Sequence, residues 1–225
     1  MSRLESVYDQ YQQRHIYDKL DEIAVTMEGT LLQKTLAEEL FDVSLTIDSE
    51  TKTVVREARD ALESEQDRDG SQVVIDEATL EALEEAVEQQ ADSLTNEIHT
   101  HRVQLLSTVT AMKALNEEFG FVDADELADL ATLLDDWDWR TRLDARADGD
   151  FASRLEAAAT LAEEMKETLE RAQTDIGAGF DGDDLETFIQ RLLSGQQIPL
   201  AELSHEQHNA LADSSLGDHL NISLG

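Results

Sequence analysis

No cysteine occurs in the 225 residues, which excludes a disulfide framework, a thiolate zinc site and a cysteine nucleophile. One proline and ten glycines are too few breakers for the many turns of an all-β sandwich or barrel. No window approaches the ~18 consecutive apolar residues of a membrane span. The opening Met1-Ser2-Arg3-Leu4-Glu5 lacks the apolar run of a secretory signal, so a cytoplasmic location is expected. Positive charge is scarce as well. Seventeen Lys+Arg face 51 Asp+Glu, a formal net charge of −34. Hydrophobic residues still make up 40%, which excludes a fully disordered acidic chain.

That charge is a physical load. A compact chain of this mass has roughly 10,000 Å² of surface, about one uncompensated negative charge per 300 Å². Self-repulsion at that density strains the folded state at ordinary salt. At ~1 M salt the Debye length is about 3 Å, and most of the repulsion is screened. Arginine outnumbers lysine, alanine and threonine are plentiful, and aromatics are only 5%. The composition resembles that of cytoplasmic proteins from halophilic archaea that accumulate salt, and a salt-adapted surface is what the resemblance implies. The charge has the wrong sign for counterion release from a nucleic-acid backbone, so direct nucleic-acid binding is not expected.

The patterning is mostly helical. A face of Ile16, Leu20, Ile23, Met27 and Leu31 predicts an amphipathic helix from the N-terminus to about residue 40. Alternation over Phe41-Asp42-Val43-Ser44-Leu45-Thr46-Ile47-Asp48 predicts a short strand, with Val73-Val74-Ile75 a possible second. Between them, 50–66 reads as a charged helix. Asp76 then caps the longest element, in which Leu80, Leu83, Val87, Ala91, Leu94, Ile98, Leu105, Met112 and Phe119 hold one drifting face. No Gly or Pro breaks it before Gly120; at 1.5 Å per residue it is about 65 Å long, so either the molecule is elongated or the helix bends or breaks at an unmarked point. Asp123 with Glu126 opens a further helix.

The cleanest pattern is Phe151, Leu155, Ala158, Ala162, Met165, Leu169, Ala172 and Ile176, at alternating spacings of four and three. Such a seam serves either a bundle inside the chain or a coiled coil with another molecule. The expected fold is therefore mainly α: an elongated helical bundle or coiled-coil hairpin over 1–176 with a few short strands. A joint at Gly177, Gly179 and Gly182 leads to a small α+β appendix over 183–225. There Ser204 with Gln207 caps a short helix, and Leu220 to Leu224 alternates like a strand.

Three groups invite a chemical reading. Glu65, Asp67, Asp69 and Asp76, with Gly70 at the turn, resemble an EF-hand-type calcium loop with oxygen ligands at positions 1, 3, 5 and 12. It departs from that pattern in its first residue, in Gln72 where an apolar anchor belongs, and in the short Asp76. His205 and His208 are one residue too close for a helical zinc pair, and His99 and His101 point to different faces. Trp137 and Trp139 would lie about 200° apart on one helix. Either one is an exposed partner anchor, or the helix breaks and both rings fold over the core. The local cluster Arg140, Arg142 and Arg146 is diluted by Asp138, Asp144 and Asp148.

No G-x-S-x-G, Ser-His-Asp set or glycine-rich phosphate loop is present, so no catalytic, cofactor or metal residue is assigned. The expectation is a non-enzymatic helical interaction or scaffold protein. It would be an accessory subunit of a larger cytoplasmic complex, such as one built round an ATPase or a chromosome-associated machine, that joins a protein partner or itself through helical seams. The alternatives are a calcium-responsive helical regulator and, more weakly, a DNA-maintenance or transcription factor.

Overall fold

The computed structural model describes residues 3–69, 75–120, 124–137, 139–144, 146 and 150–178, with isolated positions between 186 and 209. Six helices follow in order: α1 (Arg3–Phe41), α2 (Ser49–Asp69), α3 (Glu77–Phe119), α4 (Ala124–Asp136), α5 (Trp139–Asp144) and α6 (Phe151–Ala178). No strand occurs among the described residues. The chain forms two compact units. Unit 1 comprises Met1–Glu38 with Asp42–Glu97, and unit 2 comprises Glu39–Phe41 with Ile98–Gly225.

Three helices begin on the same local device. Asp48, Asp76 and Asp150 stand immediately before α2, α3 and α6, and a Thr or Ser follows three residues later. Each aspartate accepts a backbone N–H from that residue: Thr51 at 2.8 Å, Thr79 at 2.8 Å and Ser153 at 2.9 Å. The three hydroxyls donate back to the same carboxylates at 2.7, 2.8 and 2.9 Å. A carboxylate here satisfies orphan N–H groups and faces the positive end of the helix dipole. These bonds hold all three acids below the ordinary aspartate range, led by the Thr51 hydroxyl at Asp48 and by the backbone N–H at Asp76 and Asp150.

A lowered carboxylate pKa contributes stability that is complete above the unfolded value of about 3.9 and lost as pH falls through the folded one. Replacing all three aspartates by alanine is expected to lower the melting temperature at pH 7. The gap from the parent should close as pH falls below about 4. Thermal unfolding followed by circular dichroism at stepped pH measures this; a gap unchanged down to pH 2.5 would refute it.

The predicted strand at 41–48 is absent, and the reason is instructive. Burial does alternate: Leu45 is buried and Val43 and Ile47 are half-buried, while Asp42, Ser44, Thr46 and Asp48 are exposed. The amide hydrogens, however, go elsewhere than to a neighbouring strand. Helix α1 closes with Asp42 at φ 54°, and Val43 N–H donates to the Glu38 carbonyl at 3.3 Å. That six-residue return is a Schellman-type helix end. Leu45 N–H donates to Glu38 Oε1 at 2.8 Å and Asp48 N–H to Gln90 Oε1 at 2.8 Å. The segment is a side-chain-anchored connector. Residues 73, 74 and 220–224, also read as strand, lie outside the described residues, as do most of the Gly177–Gly182 joint and the expected C-terminal appendix.

The long helix is continuous as expected, and it ends where glycine permits. Gly120 takes φ 72° and its N–H meets the Asn116 carbonyl at 2.7 Å, an αL closure. Its buried face departs from the expected one: Gln90, not Ala91, lies in the buried row with Leu80, Leu83, Val87, Leu94 and Ile98, Leu105 is half-buried, and Val109, Ala111 and Leu115 are buried beside Met112; the side chain of Phe119 lies outside the described residues.

In unit 1, Ile23 of α1, Ala58 of α2 and Leu80, Leu83 and Val87 of α3 form one core with Ile75. Met27, Val54 and Val55 pack on it from α1 and α2. Lys19 reaches Glu84 at 2.7 Å across α1 and α3. In unit 2, α6 packs against α4 and α5. Arg171 pairs with Glu126 of α4 at 3.0 Å, and Arg154 with Asp144 of α5 at 3.4 Å.

Candidate binding cleft

Most of the α6 seam is buried within unit 2: Ala158, Ala162, Met165, Leu169, Ala172 and Ile176 are buried, while Phe151 and Leu155 are half-buried. The stripe on α3 is likewise buried from Leu80 to Ile98 and again at Met112. Most positions of both stripes thus pack within the chain's own units, the first of the two roles the pattern offers.

The two tryptophans take the second of their expected arrangements. Helix α4 stops at Asp136, and Trp137 turns the chain at φ 51°, an uncommon conformation for a bulky residue. Trp139 is buried at the start of α5, with the Arg140 guanidinium carbon 5.2 Å from its ring centroid. Trp137 stacks on Phe41 at 6.0 Å between centroids, and Phe41 also stacks on His101 at 5.8 Å. Arg102 holds this cluster to the end of α4 by donating to the Asp135 carbonyl at 3.3 Å. Its Nη2 lies 3.1 Å from His99 Nδ1. Arg102 Nε and Trp137 Nε1 are buried and meet no hydrogen-bond partner among the described residues.

The acidic groups do not form the loop read from sequence. Helix α2 runs on to Asp69, so positions 65, 67 and 69 are helical. Asp76 has both oxygens committed to Thr79 at the start of α3. The side chains of Glu65, Asp67 and Asp69 lie outside the described residues. Among the described residues no group of three or more His, Asp or Glu is placed to hold a metal ion. His205 is exposed, and His208 lies outside the described residues. Ser204 and Gln207 do form the expected reciprocal cap, at 2.9 and 3.2 Å. Of the arginine cluster, Arg146 is bound to Glu164 at 2.7 Å, which draws that carboxyl below its ordinary range.

The feature that sequence reasoning missed lies in unit 1. Helices α1, α2 and α3 leave a cavity of about 300 Å³ between them. Met27 and Leu31 of α1, Ile47 of the connector, Val55 of α2 and Val87 of α3 make its apolar walls. Lys52, Arg56 and Arg59 line it from one face of α2. Their spacing of four and three residues sets them in a row about 10 Å long. Arg59 is engaged with Asp60 at 2.9 Å and Glu63 at 3.5 Å, and the bond to Asp60 raises its pKa. Lys52 and Arg56 are exposed and meet no carboxylate within ion-pair distance among the described residues.

Gln90 completes the cleft. It is 6% exposed, and its Oε1 is fixed by the Asp48 N–H at 2.8 Å, which leaves its amide N–H groups as donors. The cleft thus joins aliphatic walls to polar groups that donate, a pairing suited to an apolar body with a negative end. The heptad-like spacing 80, 83, 87, 90, 94 was the signal for Gln90. The spacing 52, 56, 59 was the signal for the basic row.

No family model matches the chain, and neither the curated proteins nor the solved structures give a match.

Proposed function

We propose that this chain is a non-enzymatic helical interaction protein, an accessory subunit of a larger complex in the cytoplasm of a salt-accumulating archaeon, and that the cleft of unit 1 is its binding site. The observation that carries the reading is the cleft itself. Two unpaired cations and a fixed amide surround aliphatic walls in a chain whose net charge is −34. On such a surface, two cations on one helix face with no carboxylate at ion-pair distance among the described residues form a local weakening of the negative field. Anionic groups that the rest of the molecule repels are admitted there. The stripes of α3 and α6 support the scaffold part of the reading by giving each unit a packed helical core.

The test is affinity purification of the tagged full-length chain from a halophilic host at that host's own salt, beside a Lys52→Glu, Arg56→Glu variant. The parent should retain a stoichiometric partner that the variant loses. The same partner on both would remove the cleft from the proposal. A parent that retains none would overturn the interaction reading.

A further inference from the structure

Resting on the reading of the cleft as a binding site, we infer that its occupant is a small anionic amphiphile: one aliphatic chain ending in a carboxylate or a phosphate monoester. Three features of the cleft converge on that chemistry. A volume of about 300 Å³ lies at the lower end of the range for small-molecule sites. The walls facing it, Met27, Leu31, Val55 and Val87, offer nothing to a polar group. The cleft's uncommitted charged and amide groups are donors: the Lys52 ammonium, the Arg56 guanidinium and the Gln90 amide N–H.

The hydroxyl protons in the lining are already committed. The Thr51 hydroxyl donates to Asp48 and sits 3.4 Å from the Ala86 carbonyl. Thr30 donates to the Thr26 carbonyl at 2.7 Å. A cationic end would meet only the oxygen lone pairs of these two hydroxyls, beside the repelling Lys52 and Arg56. An anionic head placed at Lys52 and Arg56 gains charge-assisted bonds, with the guanidinium able to hold two oxygens of a carboxylate or phosphate. Its tail enters the aliphatic space between the three helices. Gln90, whose orientation is set by the connector, meets an oxygen at the inner side of the head. The head also neutralises two cations that no carboxylate among the described residues answers, so binding disturbs none of the ion pairs described above.

Titration calorimetry of the full-length protein tests this with decanoate, decyl phosphate and decanol. The salt is the lowest KCl concentration at which circular dichroism shows it folded. Decanoate and decyl phosphate should bind with a stoichiometry of one and decanol more weakly. Lys52→Gln with Arg56→Gln should weaken both acids by about tenfold and leave decanol within about twofold. Val55→Gln, in the wall, should weaken all three. Equal binding of acid and alcohol, or acids indifferent to the Lys52 and Arg56 changes, would overturn the inference. So would binding of phosphatidylglycerol vesicles without binding of monomeric decanoate, or binding of a peptide with an apolar C-terminal residue in its place. A cleft that keeps its protein partner but ignores decanoate defeats this inference and leaves the preceding reading intact. Decanoate bound by a chain that retains no partner does the reverse.

Discussion

Raising KCl from 0.1 M to 2 M is expected to raise the midpoint of thermal unfolding by at least about 10 °C. The argument is electrostatic. A net charge of −34 on a folded chain repels itself across distances of the order of the Debye length at low salt. Screening shrinks that length from about 10 Å to below 3 Å over this range. The unfolded chain spreads the same charge over a larger volume and gains less from salt, so the difference favours the fold. A relief of about 5 kcal/mol corresponds to 10–20 °C for a chain of this length. The cross-helix ion pairs oppose the trend only weakly, because exposed pairs are worth about 0–1 kcal/mol each.

The charge that matters is located. Glu81, Glu85, Glu88 and Glu97 are exposed along α3 and meet no cation within ion-pair distance among the described residues. Their replacement by glutamine should raise the midpoint at 0.1 M KCl and reduce the salt dependence. Sodium chloride at equal ionic strength should act much as KCl does. A midpoint flat or falling between 0.1 and 2 M would refute the salt-adapted reading of the surface.

How much of this was legible in the sequence depends on whether the determinant is local. The three Asp-x-x-Thr/Ser caps and the glycine end of α3 are local, and the bounds of α3 follow from them. The aliphatic stripes set helix type and buried face. At 41–48 the same reasoning read burial correctly and secondary structure incorrectly. Alternation reports which side chains face the core; a strand also needs a second backbone to pair with, and here Glu38 and Gln90 take the amides. Trp137 and Trp139 show the converse limit: a choice left open by helical geometry is decided by tertiary stacking on Phe41 and by the left-handed turn at Trp137.

The cleft was less legible because it exists only where three helices diverge. Its basic row has a clear spacing on α2, yet 50–66 read simply as a charged helix among acidic neighbours. What gives Lys52 and Arg56 significance is the aliphatic surface beneath them. That surface comes from Met27 and Leu31 on α1 and Val87 on α3, dozens of residues away in sequence. Gln90 was passed over for a further reason. A polar residue in a buried row reads as an error in the pattern until its partner, the Asp48 N–H, is known.

The internal closure of the α6 seam leads to the second large effect. Leu161→Ala and Ile176→Ala each remove a side chain no more than 2% exposed, and each is expected to destabilise the fold by about 2–5 kcal/mol. Ala162→Leu acts from the other direction. Ala162 is fully buried, and α6 lies against α4 and α5, so three added heavy atoms force packing to shift, at a cost of about 1–3 kcal/mol. Neither class of change should alter the molar mass in solution, because no second chain is needed to bury these positions. A seam between molecules would give the opposite pattern: a lower mass in sedimentation with little loss of the folded signal. Denaturant unfolding in molar KCl beside sedimentation equilibrium separates the two. The pairs Arg171–Glu126 and Arg154–Asp144 tie the same helices together at the surface, yet Arg171→Ala should cost no more than about 1 kcal/mol. The hold of α6 on α4 and α5 resides in the aliphatic and alanine positions that salt does not screen.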